Sequence, residues 1–388
     1  MGFVSTSPPH RGDLDSLFAA LRRSPDVESR ELRAWDAADR YVLDTAAPLL
    51  AHADTVAVVD DTHGALALGA GALGAARVRV HQDSLVARRA LEANAARAGV
   101  DSIEHANLDD VVTQDAALVL LRLPRSRDRL DDVARALAAR MTADAVLIAG
   151  NMVKHMTPTQ NEVLRASFDR VDVSLTRGKA RLLTATAPRS SVRLEPSRAL
   201  LNEPALGTSL HVVALPGVFA GATLDRGTRV MLASSADVTE RLGDTATVID
   251  LACGSGIVAS WLGLRAPGAR VIATDVSSIA VESARLTAEA NDVRVEAYQD
   301  DGLSIHPDAS ADLVMLNPPF HVGAAVHTGV AHRLFAEAAR VLRVGGELRC
   351  VWNAHLGYRA VLERMVGPTR QVHRDATFIV TSTIRRGA

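Results

Sequence analysis

Val248-Ile249-Asp250-Leu251-Ala252-Cys253-Gly254-Ser255-Gly256-Ile257 is the stretch on which the reading of this chain turns. An apolar run of strand length enters a glycine-rich turn, and an apolar segment of helical spacing leaves it. Gly254 and Gly256 let the backbone bend sharply and approach a ligand closely. About twenty residues on, a second apolar run ends at Asp275, where a carboxylate can accept hydrogen bonds from ribose hydroxyls. The pair implies a nucleoside ligand. Nicotinamide-dinucleotide folds share the logic and add a third small residue; Ala259 holds that position here, so the turn alone fits both.

A third strand is expected around Val293 to Tyr298, followed by Asp300 and Asp301. A carboxylate there could accept from an adenine amino group, and Asp301 is favoured because Gly302 marks a tight turn beside it. A fourth buried strand then runs directly into Asn317-Pro318-Pro319-Phe320. An amine on an aromatic base is a poor nucleophile, because its lone pair is delocalised into the ring. The Asn317 side-chain oxygen and the Pro318 carbonyl can accept both N–H bonds and turn the lone pair toward an electrophilic methyl group. The prolines stiffen the loop, and Phe320 can stack on the base. Such chemistry needs no metal and no strong general base, since the proton becomes acidic as the nitrogen takes the methyl. His321 could touch substrate, and Cys253 reads as a small residue in a turn.

Around this site the second half alternates strands and helices, with strand candidates at Thr247 to Leu251, Arg270 to Thr274, Ala311 to Leu316 and Glu347 to Trp352. The first half has the same rhythm, at Thr55 to Val59, Val78 to Val80, Ala117 to Leu121 and Ala145 to Ala149, after an opening of about fifty residues read as helical. The alternation predicts a parallel, doubly wound α/β sheet in each half. RVRVHQDSLVARRALEANAARAGV lies without gaps over RVIATDVSSIAVESARLTAEANDV, and ALVLLRLPR over DLVMLNPPF, so the halves are read as duplicates. Thr184 to Ala205, rich in Pro, Ser and Arg, is read as the linker, giving domains at residues 1–190 and 191–388.

With 388 residues, 48% hydrophobic and 23% charged, the chain has apolar material for two cores. No apolar run reaches the roughly 18 residues of a spanning helix, and the opening residues lack the apolar core of a signal peptide, so a cytoplasmic location and no membrane partner are expected. Two cysteines, Cys253 and Cys350, form no disulfide framework or zinc-ligand cluster, and no metal is expected. A net charge of −2 argues against a broadly basic nucleic-acid coat and leaves room for a local patch.

The second half resembles the class I methyltransferases, and within them the bacterial ribosomal RNA guanine-N2 methyltransferases of the small- and large-subunit type. The matching stretches are LPGVFAGATLDRGTRVML from Leu215 to Leu232, VIDLACGSGIVA, ATDVSSIAVESAR, NPPFHVG and GGELRCVWNAHLGYRAVLERMVG. The resemblance implies tandem Rossmann-like domains of which only the second binds S-adenosylmethionine. By position, Asp250, Gly254, Gly256, Asp275 and Asp301 would hold that cofactor with Phe219 nearby, and Asn317, Pro318 and Phe320 would hold the target guanine. It also implies a monomer acting on ribosomal RNA or a ribosomal subunit. Ala252 and Ser255 are mild departures from the family's pattern. Adenine N6 or a glutamine amide are the alternative substrates; a non-catalytic RNA-binding or ribosome assembly factor is the alternative to an enzyme.

In the first half, Asp60-Asp61-Thr62-His63-Gly64 stands where the glycine turn should be, Gln82 replaces Asp275, and Arg122-Leu123-Pro124-Arg125 replaces Asn317-Pro318-Pro319-Phe320. This copy is therefore expected to be degenerate, neither binding cofactor nor catalysing. It could dock RNA through Arg122, Arg125, Lys154, Lys179 and Arg181, alongside Arg127, Arg129 and Arg177.

Overall fold

A computed structural model of the chain describes residues 11–29, 31–189, 195–319 and 324–387. They fall into two compact units, Met1–Leu194 and Glu195–Ala388. The first comprises α1 (Arg11–Ala20), α2 (Ala37–Leu50), β1 (Thr55–Val59), α3 (Ala65–Ala72), β2 (Arg77–His81), α4 (Leu85–Ala98), β3 (Ile103–His105), β4 (Leu118–Arg122), α5 (Arg127–Ala138), β5 (Val146–Met152), α6 (Pro158–Ser167), β6 (Phe168–Val173) and β7 (Ala180–Pro188). The second opens with a two-stranded ribbon, β8 (Ser197–Leu201) and β9 (Leu210–Ala214), then α7 (Arg226–Ala233) and α8 (Ala236–Glu240). It continues through β10 (Thr247–Leu251), α9 (Ile257–Arg265), β11 (Arg270–Asp275), α10 (Ser278–Ala290), β12 (Val295–Gln299), β13 (Ala311–Leu316), α11 (Ala324–Val341), β14 (Leu342–Asn353), α12 (Arg359–Met365), β15 (Thr369–Arg374) and β16 (Phe378–Ile384).

The strand orders are β3-β2-β1-β4-β5-β7-β6 and β12-β11-β10-β13-β14-β16-β15. They are the same order, so each unit is one doubly wound α/β sheet and the chain carries the class I methyltransferase fold twice. The sheets are not wholly parallel as expected: β7 and β16 run antiparallel to both of their neighbours. Short turns join β6 to β7 and β15 to β16, and a short turn can only return a strand antiparallel, whereas parallel pairing needs a helical crossover.

Alternation along each strand feeds two cores, as a period of two demands. Val56 and Val58 of β1 join one cluster with α1 to α4, and Ala57 and Val59 join another with α5 and α6. In the second unit Val248 packs with α7, α9 and α10, while Ile249 and Leu251 pack with α11 and α12. Residues buried on both faces read as continuous apolar runs, which is why these strands were legible.

Two expectations about boundaries change. Leu32 and Trp35 precede α2, which is capped at Asp36, so the helical opening is interrupted by a loop. The proposed linker is structured at both ends, since β7 continues to Pro188 and β8 begins at Ser197. Its Thr184 and Ala185 sit in the hairpin at the sheet's edge, where β7 is only partly buried and β6 is mostly exposed, unlike the continuous burial of a central strand.

Candidate active site

The turn after β10 carries three left-handed residues, Ala252 (φ 63°), Gly254 (φ 52°) and Gly256 (φ 77°). The two glycines serve different needs. A Cβ on Gly256 would lie 2.5 Å from the Cα of Ala284, so this glycine lets α9 start against α10. A Cβ on Gly254 would meet nothing within 4 Å, because this position faces an open cleft. Asp275, at the end of β11, accepts the Gly254 N–H on Oδ2 and the Ser277 N–H on Oδ1, each at 3.0 Å. It thereby holds the turn against the head of α10. Asp250 is buried and accepts the Ala259 N–H at 2.9 Å, bracing the first turn of α9. Burial pushes its pKa up to about 7, and the charge of Asp275 adds to the shift. Burial likewise pushes the Cys253 thiol well up, in keeping with a turn residue rather than a nucleophile.

The cleft beside this turn has a volume of about 270 Å³, and Phe219, Asp250, Gly254, Asp275, Asp301, Asn317 and Pro318 all line it. Apart from Gly256 and Phe320, these are the residues expected to hold cofactor and base. Phe219, 55% exposed, stands at the rim of the cleft. The two aspartates after β12 separate. Asp300 is buried and folds back on its own loop, accepting from the N–H groups of Asp301 (2.8 Å) and Ile305 (3.2 Å) and from the Ser304 hydroxyl. Asp301 lies on the cleft wall, paired with Arg333 of α11 through contacts of 2.9 and 3.1 Å. Arg333 was absent from the sequence reading, since it lies inside a helix with no motif around it.

Asn317 closes the tip of β13. Its Nδ2 donates to Asp225 Oδ2 at 2.9 Å and to Thr228 Oγ1 at 3.0 Å, while Oδ1 is buried with no hydrogen-bond partner among the described residues. Asp225 is the N-cap of α7, and the same Oδ2 accepts the Gly227 and Thr228 N–H groups at 2.9 and 3.1 Å. Neither Asp225 nor Thr228 was singled out from sequence. Aspartate before an apolar helical run does mark an N-cap, but nothing local shows that the cap reaches Asn317. Pro318 is buried and Pro319 exposed. Phe320 and His321 lie outside the described residues.

Strand register makes the first unit directly comparable. Val56 pairs with Leu118 as Val248 pairs with Leu313, and Val59 pairs with His81 as Leu251 pairs with Thr274. Asp60 (φ 59°) therefore matches Ala252, Gly64 (φ 89°) matches Gly256, and Thr62 takes the place of Gly254. Gln82, in the place of Asp275, donates to the Asp61 carbonyl at 3.0 Å. Asp61 spends both carboxylate oxygens on the head of α3, accepting from Gly64, Leu66 and Ala67. His63 is buried with its Nε2 3.0 Å from Asp26, and Asn94 bonds both His63 and Arg22, so the segment after α1 is bonded onto this turn. Asp61, His63 and Gln82 are thus all engaged within the unit.

Arg122 corrects one expectation. It occupies the place of Asn317 and donates to Asp36, the N-cap of α2, at 2.9 Å and to Asp39 at 2.8 Å, so its guanidinium is not free for phosphate. Arg129 is likewise paired with Asp60, and Arg177 with Asp44. Lys154 and Lys179 remain exposed on touching loops, joined where the Val153 N–H donates to the Lys179 carbonyl at 2.8 Å. Arg125 contacts His155 and Arg181 the Thr176 hydroxyl, at the same end of the sheet.

Residues 209–382 match the methyltransferase small domain, and residues 12–189 match the RLMG N-terminal domain. Fold and site together define a methyltransferase of the class I type built on a duplicated sheet. A solved structure of the T. thermophilus 16S rRNA N2 methyltransferase, in complex with AdoMet and guanosine, shares the fold over 93% of this chain and 97% of that one, with a TM-score of 0.73 and 24% identity. Ribosomal RNA large subunit methyltransferase G of Streptomyces avermitilis is 36% identical over 95% of this chain and 97% of its own length. That of Pseudomonas syringae pv. syringae is 36% identical over 95% and 98%. The chain belongs to the ribosomal RNA large subunit methyltransferase G family.

Proposed function

We propose that this chain transfers a methyl group from S-adenosylmethionine to the exocyclic N2 amine of a guanine in large-subunit ribosomal RNA. One observation carries the chemistry: Asn317 has its amide nitrogen fixed and its oxygen left as a buried acceptor without a partner, at a strand tip beside an open glycine turn. A buried acceptor in that state is costly unless something donates to it, and an amino group on a base is such a donor. The large subunit is favoured over the small because the full-length relatives carry that name.

The residues present fit the cofactor. Gly254 leaves room at the turn, Asp275 stands where ribose hydroxyls can be accepted, Asp301 and Phe219 face the adenosine end, and Asp250 braces the helix head from beneath. When bound, S-adenosylmethionine supplies an electrophilic methyl group. Asn317 Oδ1 and the Pro318 carbonyl accept the two N–H bonds of the amine, which fixes its plane and aims the nitrogen lone pair into the cleft. Phe320 is assigned to stack on the base. The proton lost as the N–C bond forms passes to water, and no metal takes part. The first unit is assigned to RNA docking through Lys154, Lys179, Arg181 and Arg125. The groups assigned to cofactor and amine all come from residues 195–388 of one chain, which supports action as a monomer. No helix of the described residues is long and apolar enough to cross a membrane, in keeping with work on ribosomal RNA in the cytoplasm.

The test is methyl transfer to large-subunit RNA taken from a strain lacking the gene, read by mass spectrometry for N2-methylguanosine. Wild type should restore one modified nucleotide, and Asn317→Ala should slow the reaction by about 100-fold or more while S-adenosylmethionine still binds. Product on adenine, or an unaffected Asn317→Ala, would refute the assignment.

A further inference from the structure

We infer that Asp225, seconded by Thr228, is a positioning residue that dictates which end of the Asn317 amide meets the target amine. The inference rests on the function proposed above and concerns a group that does not touch the base. A primary amide has a donor end and an acceptor end of nearly the same shape. Turned the wrong way, Asn317 would present N–H to an amine that itself donates, and the pair would repel.

Asp225 forbids that orientation. A carboxylate accepts only, so the amide atom 2.9 Å from its Oδ2 must be Nδ2, and Thr228 Oγ1 accepts from the same nitrogen at 3.0 Å. Asp225 is itself immobilised, since its Oδ2 takes two N–H groups from the first turn of α7. The tether therefore runs from a helix backbone through a carboxylate to the catalytic amide. Pulling on Nδ2–H with a charge also polarises the amide and makes Oδ1 the stronger acceptor.

The first unit provides an internal comparison. There too an N-cap aspartate, Asp36, reaches the residue at the tip of the fourth strand, but Arg122 fills that place and donates only. The tether belongs to the fold; its use to orient an acceptor belongs to the second unit alone.

The experiment must separate orientation from helix capping. Asp225→Ser keeps an N-cap of similar quality but is too short to reach Asn317. We expect kcat to fall about 10- to 100-fold, with the affinity for S-adenosylmethionine and the melting temperature unchanged. Asp225→Asn, which retains an oxygen at full reach, should recover most of that loss, and Thr228→Val should give a smaller drop of a few-fold. Wild-type kcat in Asp225→Ser, or no recovery in Asp225→Asn, overturns the inference while leaving the function standing. Should Asp225→Ser not fold, an undiminished kcat in Thr228→Val has the same force. A wild-type chain that binds cofactor and methylates no guanine overturns the proposed function and this inference with it.

Discussion

Asp250 shows how a single side chain can be tied to pH by its surroundings. Burial raises its pKa from the usual 3.8 to about 7. A folded-state pKa above the unfolded value means that the folded chain holds the proton more tightly. The associated stability is complete below the unfolded pKa and is lost as pH rises through about 7. Asp250→Asn removes this term, so wild type should lose ground to the variant by up to about 1.4 kcal/mol per pH unit across the window from pH 4 to pH 7. Denaturant unfolding of both proteins at pH 5 and at pH 8 measures it; parallel profiles would mean that Asp250 does not titrate in that range. Residues of this kind were partly legible. Gly254, Asp275 and Asn317 sit at strand ends, where sequence fixes position. Asp225 and Thr228, 92 and 89 residues from Asn317, and Arg333, 32 from Asp301, reach the site only through the tertiary fold.

Between elements, the α9–α10 contact governs how the glycine turn is built. Gly256 combines a φ of 77° with a would-be Cβ 2.7 Å from the Ala284 Cβ, whereas Gly254 has only the unfavourable φ. Gly256→Ala should therefore cost about 3 kcal/mol, from backbone strain and overpacking together. Gly254→Ala should cost about 1 kcal/mol and be felt mainly as weaker cofactor binding. Melting curves and calorimetry on the two variants separate the effects, and equal destabilisation would sink the packing account. Strands buried on both faces were readable to within a residue or two, as at Thr247–Leu251 and Ala311–Leu316. The outermost strands β6 and β15 were not, because a largely exposed strand shares its composition with a loop.

For the whole molecule, the measurable property is the RNA docking proposed for the first unit. Lys154 and Lys179 are exposed at one end of the first unit, whereas Arg122 is held by Asp36 and Asp39. Replacing both lysines with alanine should lower the slope of log affinity against log salt for RNA by about 1.5, the release expected from two phosphate contacts. Arg122→Ala should leave the slope alone and destabilise the unit by about 3 kcal/mol, since it strands a buried carboxylate. Filter binding from low to high salt checks the first, and an unchanged slope without the lysines would move docking elsewhere. The matching register of the two sheets was legible in the paired segments because the same apolar pattern recurs in both. The bonding of His63 to Asp26 and Asn94 in the first unit was not, since neither partner carries a motif.

The oxygen left open on Asn317 sets the two units apart in what each asks of its fourth-strand tip. An acceptor kept vacant for a passing substrate is a standing weakness of roughly 1–3 kcal/mol, which selection for reactivity maintains and selection for sturdiness would remove. In the first unit the corresponding place holds Arg122, whose donors are matched by Asp36 and Asp39. Readiness and robustness, which compete within one site, are thus met separately at the matching strand tips of the two units.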